Sequence, residues 1–309
     1  MIDISKGRYW DFGWQIIDGC TPCSPGCDNC WSASMTHRFN FQWTDKGRFN
    51  GEITVHPEKL NIPLKRKKPA VYAIWNDFGH EKICDALRLD IVSIAVRCPQ
   101  HIFLALTKRT GFLPGFVNYL FLKNMYDDKR NVVFPDNWWN GLTVCNQQEA
   151  DEKIPIFLKV PGKKFLSIEP MLSEIDIRVW AHQCITPGCG DQLNAVILGG
   201  ETGAKARPMN PDWVRSVRDQ CQAAGVPFFF KSWGEWSSDC GGSYSLKSVA
   251  IFNERDTGSN PVCLKDLEPW RREIWDKYQQ GDERMYRVGK KAAGRYLDGV
   301  THNALPWRG

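Results

Sequence analysis

Seven short apolar runs recur along the chain, each about as long as a buried strand: GWQIID (13–18), AVYAIW (70–75), HIFLAL (101–106), NGLTV (140–144), KFLSIE (164–169), NAVILGG (194–200) and VPFFFK (226–231). Stretches of helical character lie between several of them, among them EKICDALRLDIVSIAVRCP, TGFLPGFVNYLFLKNMY and NPDWVRSVRDQCQAAG. The last opens on Asn210-Pro211, a helix start signal, and closes on Gly225 at a C-cap position. Buried strands alternating with helices predict a parallel α/β architecture. Six or seven such units point to a full or partial parallel (β/α) barrel rather than an open dinucleotide-binding sheet. The stretch 237–265 is rich in glycine and serine and reads as an insertion or linker. The charged segment behind it reads as a C-terminal extension that packs on the barrel or covers its mouth. The expected organisation is a barrel over 1–236 and an insertion plus extension over 237–309.

Reactive groups of parallel β/α barrels come from the C-terminal ends of the strands, so the polar residues after each run are the candidates. The first run leads into a cysteine-rich loop. The second leads to Asn76, Asp77 and His80, the third to Thr107, Lys108 and Arg109, and the fourth to Cys145, Asn146 and Gln147. Glu169 follows the fifth, Gly199, Gly200 and Glu201 the sixth, and Lys231, Ser232 and Trp233 the seventh. A polar loop after a buried strand is the ordinary case; it is the regularity of the whole set that is informative. The glycine pair of GGETG admits two readings, a backbone brought close to a ligand or a tight strand-to-loop turn. It lacks the spacing of a phosphate-binding fingerprint.

The N-terminal stretch MIDISKGRYWDFGW lacks the basic and apolar regions of a secretory signal, and no run approaches the ~18 apolar residues of a membrane span. The expectation is a cytoplasmic protein with no membrane partner. Thiols stay reduced in that compartment, so twelve cysteines argue for metal or redox chemistry at some of them instead of a disulfide framework. Cys84, Cys98 and Cys221, in helix-like or apolar surroundings, read as buried small side chains. A net charge of +5 over 309 residues permits a polyanionic partner without demanding one. Basic groups cluster at Lys65-Arg66-Lys67-Lys68, at Lys108-Arg109 and at Lys290, Lys291 and Arg295. Of the fourteen tryptophans, Trp75, Trp138, Trp139, Trp233 and Trp236 fall in loops or at strand ends where a ring can stack on a base, although packing is the commoner role.

The chemistry concentrates in DGCTPCSPGCDNCWSAS (18–34), whose cysteines are spaced C-x2-C-x3-C-x2-C. Zinc sites built of two knuckles usually separate them by about a dozen residues or more, which disfavours zinc here. Short thiolate spacings suit iron–sulfur clusters. Cys23, Cys27 and Cys30 spell C-x3-C-x2-C, which resembles the signature of the radical S-adenosylmethionine (SAM) superfamily. There, three thiolates hold a [4Fe–4S] cluster and the fourth iron stays open for the amino and carboxylate groups of SAM. The position before the last cysteine, usually aromatic in that superfamily, is Asn29, and the aromatic Trp31 follows the cysteine instead.

A second resemblance covers nearly the whole chain. DGCTPCSPGCDNCWSASMTHRF, WNDFGHEKI, LALTKRTGFL, WNGLTVCNQQEADEKIPIFLKVPGKKFLSIEPML, VILGGETGAKARPMNPDWVRSVRDQCQAAGVPFFFKSWGEW and RVGKKAAGRYLDG are similar, in order, to blocks of the phage and prophage three-cysteine-motif family, named after phage gene products thirty-seven and sixty-eight. In that family's pattern the cysteines fall at the positions of Cys20, Cys27 and Cys30, and the position of Cys23 is usually aliphatic. Resemblance and spacing therefore disagree about the first ligand: the family favours Cys20, with Cys23 as its rival.

What the resemblance implies is a radical SAM-like barrel, a [4Fe–4S] cluster, SAM, and a reductant such as flavodoxin or ferredoxin. Reductive cleavage of SAM would give a 5′-deoxyadenosyl radical that abstracts hydrogen from the substrate. For some relatives the reaction is an isomerisation of an amino acid-bearing thymidine in phage DNA hypermodification, and a phage-encoded enzyme would work in the host cytoplasm. On that model Lys108 or Arg109 pairs with the SAM carboxylate, Asn76 and Asp77 receive its amino group, and Glu169 accepts from the ribose hydroxyls. Gly199 and Gly200 would bring backbone to the cofactor, while Glu201, Lys231 and Trp233 face the substrate and His80 donates a proton. For Glu169 a structural salt bridge stays open, and for His80 a satisfied packing ring. A base in duplex DNA would have to leave the stack to be reached, with the basic groups at 65–68 and 290–295 touching phosphates. The alternatives are a DNA photoproduct lyase-like repair enzyme, and a non-catalytic metal-binding or electron-transfer module in which all four cysteines saturate the metal.

Overall fold

Each apolar run becomes a parallel strand, offset from the sequence reading by a few residues at most. The protein, as a computed structural model, is described over residues 4–39, 42–128, 131–181, 192–238, 249–252, 262–263 and 283–308. The strands are β1 (Phe12–Trp14), β2 (Val71–Ile74), β3 (Ile102–Thr107), β4 (Trp138–Thr143), β5 (Lys163–Ile168), β6 (Ala195–Gly199) and β7 (Phe228–Ser232). They form one curled sheet in simple sequence order, a half-barrel, every neighbouring pair parallel. The first run is the exception to a one-to-one match: it breaks after Trp14, and Ile17–Gly19 turns away to pair antiparallel with Ile53–Val55.

α1 (Trp31–Phe39) packs against the small hairpin of Thr44–Asp45 and Arg48–Phe49, while α2 (Asp85–Arg97), α3 (Leu113–Leu122), α4 (Gln147–Leu158), α5 (Arg178–Ala181) and α6 (Pro211–Ala223) cover the outer face. The start signal of α6 works as read, since the Asn210 side chain accepts the Asp212 backbone N–H at 2.9 Å and Pro211 occupies the first turn, where its missing donor costs nothing. Its buried Trp213, Val214, Val217 and Cys221 follow the helical period and face the sheet. The helical stretches read from sequence left out α4, which carries Pro155 within its span. Asn146 caps it through the Glu149 N–H at 2.9 Å.

Alternation along the strands divides the core in two. Phe103, Trp138, Leu166, Val196, Phe228 and Phe230 pack outward against the helices. Leu104, Trp139, Phe165, Ile197 and Phe229 point inward, into the concavity. Most of the tryptophans marked for stacking are packing residues: Trp138, Trp139, Trp233 and Trp236 are all buried.

Both ends of the chain complete the half-barrel. Tyr9 lies against Phe229 of β7 (ring centroids 6.1 Å apart), and Asp11 N–H donates to the Val71 carbonyl of β2 at 2.8 Å, so the N-terminal segment spans from one sheet edge to the other. The C-terminal tail runs beside β7, with an antiparallel bridge from Phe229 to Asn303. It ends with Leu305 and Trp307 in the inner cluster. Trp307 meets Trp139 at 4.7 Å and Phe165 at 5.5 Å, edge to face, and its indole N–H donates to the Tyr9 carbonyl at 3.1 Å. The described tail, through Leu305 and Trp307, thus fills the concavity near the N-terminal ends of β4 and β5.

The Gly/Ser-rich stretch and the charged segment fall mostly outside the described residues. Within the described residues, Trp236–Ser237, Val249–Phe252, Val262–Cys263 and Glu283–Arg287 form a four-stranded antiparallel sheet, so strand pairing crosses the boundary expected at 237. Among the described residues no helix is long and apolar enough to cross a membrane.

Candidate functional site

The loop after β1 and the C-terminal ends of the neighbouring strands enclose a cavity of about 190 Å³. Cys20, Cys23, Cys27 and Cys30 all line it, and all four are free thiols. The local chain explains the convergence. Ser24 caps a short turn at Pro25–Cys27, its hydroxyl accepting the Gly26 N–H at 3.2 Å. A Cβ at position 26 would run into the Cys145 sulfur at the end of β4, so only glycine lets the loop settle onto the sheet. Behind it, the Cys30 carbonyl accepts the Ser34 N–H at 3.0 Å and α1 begins.

Two charged clamps fix this loop. At its N-terminal limb, Arg109 Nη2 donates to the Thr21 carbonyl at 2.6 Å, Nη1 to Asp77 Oδ2 at 2.5 Å, and Nε pairs with Glu81 at 3.0 Å. Asp77 also accepts from the Thr107 hydroxyl and the Gly79 N–H. His80 secures the same residue: its Nδ1 accepts the Lys82 N–H at 3.2 Å, which leaves the proton on Nε2 to donate to Thr21 Oγ1 at 2.9 Å. At the C-terminal limb, Arg207 Nη2 donates to the Pro25 carbonyl at 2.8 Å and to Glu201 Oε1 at 2.6 Å, and Nε to Glu201 Oε2 at 3.0 Å. Glu201 Oε2 also accepts the Asn29 amide at 2.9 Å. Asp77, Arg109, His80 and Glu201 are thus the loop's anchors. His80 is fully buried, and burial, then the Arg109 charge, pushes its pKa down, which suits a neutral tether better than a proton donor.

Lys108 differs from its neighbour. It lines the cavity, and its ammonium makes no hydrogen bond or ion pair among the described residues. Burial opposes its charge, but the sulfurs of Cys145, Cys27 and Cys30 and the Glu149 carboxylate raise its pKa above the ordinary lysine value. Of the two cations offered for a carboxylate, Arg109 is committed to the loop and Lys108 is available. The thiols are unequal as well. A hydrogen bond from Cys23 holds Cys27 down at about 6, whereas burial pushes Cys20 up to about 12 and Cys30 up as well.

The other expected residues gather elsewhere on the same rim. Glu169 accepts from the Lys231 ammonium at 2.7 Å, from the Tyr9 hydroxyl at 3.1 Å and from the Ser167 hydroxyl at 3.1 Å. Of this group only Tyr9 lines the cavity. Asn76, at φ +60°, does line it, with its amide donating to the Ile17 carbonyl and its oxygen accepting from Ser32, both at 3.0 Å. Gly199 and Gly200 do not: a Cβ at 200 would collide with the Trp233 carbonyl in the turn after β7, and one at 199 would crowd Glu169. Arg295, read as a phosphate contact, is buried and donates to the carbonyls of Phe230, His302 and Ile4. Cys98 and Cys221 are buried as read, but Cys84, flanking α2, is exposed.

Tyr9, Thr21, Glu81 and Arg207 were not singled out from the sequence. Tyr9 and Arg207 reach partners 160 and 182 positions away, and no local pattern signals such pairings. The rule that found their partners, polar residues directly after a strand, misses a residue six positions further along or one preceding β1.

Among the described residues no three of His, Cys, Asp and Glu are grouped to hold a single metal ion. The donor set, soft thiols on one loop facing a common cavity, fits the ligand chemistry of an iron–sulfur cluster in kind. The family model described as "Protein of unknown function (DUF5131)" matches residues 5–306. No curated protein and no solved structure matches the chain.

Proposed function

The chain belongs to the DUF5131 family of proteins of unknown function, so its activity must be argued from its own residues, and we propose that it is a radical SAM enzyme with a [4Fe–4S] cluster. One observation carries the reading: four free thiols and Lys108, a cation without an ion pair among the described residues, meet in one cavity at the C-terminal mouth of a parallel half-barrel. That is where β/α enzymes place their chemistry. The similarity to the phage three-cysteine-motif family supports Cys20, Cys27 and Cys30 as ligands. Cys23, the most exposed of the four, is then the neighbouring thiol whose hydrogen bond favours the thiolate of Cys27.

Bound at three thiolates with one iron open, the cluster would supply the electron that cleaves SAM and starts hydrogen abstraction. The chain's own contributions are positioning and exclusion. The Arg109 and Arg207 clamps hold the two limbs of the loop and so the spacing of its thiols. Lys108 meets the SAM carboxylate by charge-assisted hydrogen bonding, and Asn76 offers polar atoms to the amino acid end. The aromatic and aliphatic lining, with Tyr9, Leu104, Leu106 and Phe165, would exclude bulk solvent and its solutes from the reacting atoms. An amino acid-bearing thymidine, free or in DNA, is the substrate suggested by the same similarity, with a flavodoxin or ferredoxin as electron donor.

Anaerobic reconstitution tests this. A brown protein with roughly four irons per chain that cleaves SAM when reduced supports it, with Cys20→Ala losing the iron and Cys23→Ala retaining it. Colourless protein holding one zinc overturns it. Loss of iron in Cys23→Ala but not in Cys20→Ala reverses the ligand assignment.

A further inference from the structure

Beside the thiols, one wall of the cavity is built of tryptophan. Trp31 and Trp75 stand edge to face, centroids 5.4 Å apart at 85°, and Trp75 and Trp10 do the same at 6.4 Å and 86°. All three line the cavity. Trp75 lies over Gly13 on β1, and the Arg8 guanidinium sits 5.4 Å over Trp10. Perpendicular rings make a corner: a flat guest lying on one ring presents its edge to the next.

Trp31 is the unusual member. It follows Cys30 directly, yet it is 49% exposed, so its indole does not serve the packing of the core. An indole left half in water beside a reaction cavity loses apolar exposure when a planar ring covers it, and aromatic faces reward every base because every base has a π-face. We propose that the Trp31–Trp75–Trp10 corner is the stacking site for the nucleobase of the substrate, which it holds against the cysteine loop. The polar end of the cavity, at Lys108, is left for the amino acid portion of SAM. This deepens the proposed function by giving the base of such a substrate a site, and rests on that reading for the identity of the cavity. Arg8, exposed beside Trp10 and with no ion pair among the described residues, is placed to meet a phosphate of the same ligand.

The test is binding, and it needs neither iron nor reductant, so its failure is separate from failure of the cluster assignment. An end-labelled oligothymidylate and an abasic strand of the same length are titrated with the full chain by fluorescence anisotropy at one ionic strength. The native chain binds the base-bearing strand more tightly than the abasic one. Trp31→Ala and Trp31→Leu remove that preference, by roughly 5- to 150-fold for one stacked base, and leave abasic binding unchanged, while Trp31→Phe keeps most of it. Thermal midpoints show that the variants remain folded, and Leu keeps the position apolar without a π-face. A native chain that does not distinguish the two strands, or a Trp31→Leu chain that still does, overturns the proposal. So does a Trp31→Leu chain that loses affinity for SAM alone, which would give the corner to the cofactor's adenine.

Discussion

Arg207→Met isolates the C-terminal clamp of the cysteine loop. The substitution keeps the apolar stem of the side chain but removes the three guanidinium hydrogen bonds, two to Glu201 and one to the Pro25 carbonyl. Glu201 is left with the Asn29 amide and the residue 207 N–H, its carboxylate only 4% exposed. Removing one partner of a fully buried pair costs about 3–5 kcal/mol. The Arg207 side chain is 34% exposed, and solvent screening cuts that to about 2 kcal/mol; the lost Pro25 bond adds about 1 kcal/mol. A total of roughly 2–3 kcal/mol lowers the thermal midpoint by roughly 3–5 °C in a chain of this size. Hydrogen exchange should localise the effect, with peptides covering 20–30 exchanging faster and those of β4 and β5 unchanged. Glu201→Gln in the Arg207→Met background removes the stranded charge, so the double variant costs about 1–2 kcal/mol less than the two single losses added together. Strict additivity, or an Arg207→Met midpoint within about 0.5 kcal/mol of native stability, refutes the clamp.

Three further outcomes follow from the same contacts. Burial holds His80 below the ordinary histidine pKa of 6.5, with Arg109 and Lys82 pushing the same way and Glu81 and Asp77 opposing; the neutral ring's stabilisation is full above pH ~6.5 and drains as acid is added, so urea titrations from pH 7 to about 5 should show a shallower loss in His80→Gln than in the native chain, and parallel curves would refute it. Trp307→Ala empties the concavity of its largest tail side chain and should cost about 3–5 kcal/mol by chemical denaturation, whereas a loss below about 1 kcal/mol would mean that the tail does not hold the sheet. Lys108→Met should leave the iron content unchanged while weakening SAM binding about tenfold or more, the scale of a lost charge-assisted bond; equal SAM affinity in calorimetry removes Lys108 from that role.

The sheet was legible because its strands obey a local rule. Runs such as HIFLAL and NAVILGG are buried on both faces, so they are predominantly apolar, and their ends show as abrupt changes to polar residues. That same step in polarity placed Asn76, Asp77, Lys108, Arg109, Glu169, Glu201 and Lys231 on one rim. It did not divide their labour. Lys108 and Arg109 are neighbours of equal charge, and only the position of Asp77, thirty-two residues before Arg109, commits one to the loop and frees the other. His80 and Glu201 carry the residue types of acid–base catalysts, but the partners that make them anchors, Thr21 and Arg207, are fixed by the fold. The tail escaped detection for a related reason: LPWRG has too few apolar residues to read as core, and Trp307 becomes core only because the inward faces of β3, β4 and β5 leave a space for it. Arg295 illustrates the converse, a basic residue that looked like surface and serves buried carbonyls.

The central claim is that the cysteine loop leaves one iron of a cluster free for SAM. Electron–nuclear double resonance on the reduced, reconstituted protein, with SAM isotopically labelled at its amino nitrogen, reads that contact at the metal itself. The account predicts a hyperfine coupling from the labelled nitrogen that persists in Cys23→Ala and vanishes with the iron in Cys20→Ala. Bound SAM with no coupling to the cluster, the behaviour of four thiolates that saturate the metal, would contradict it.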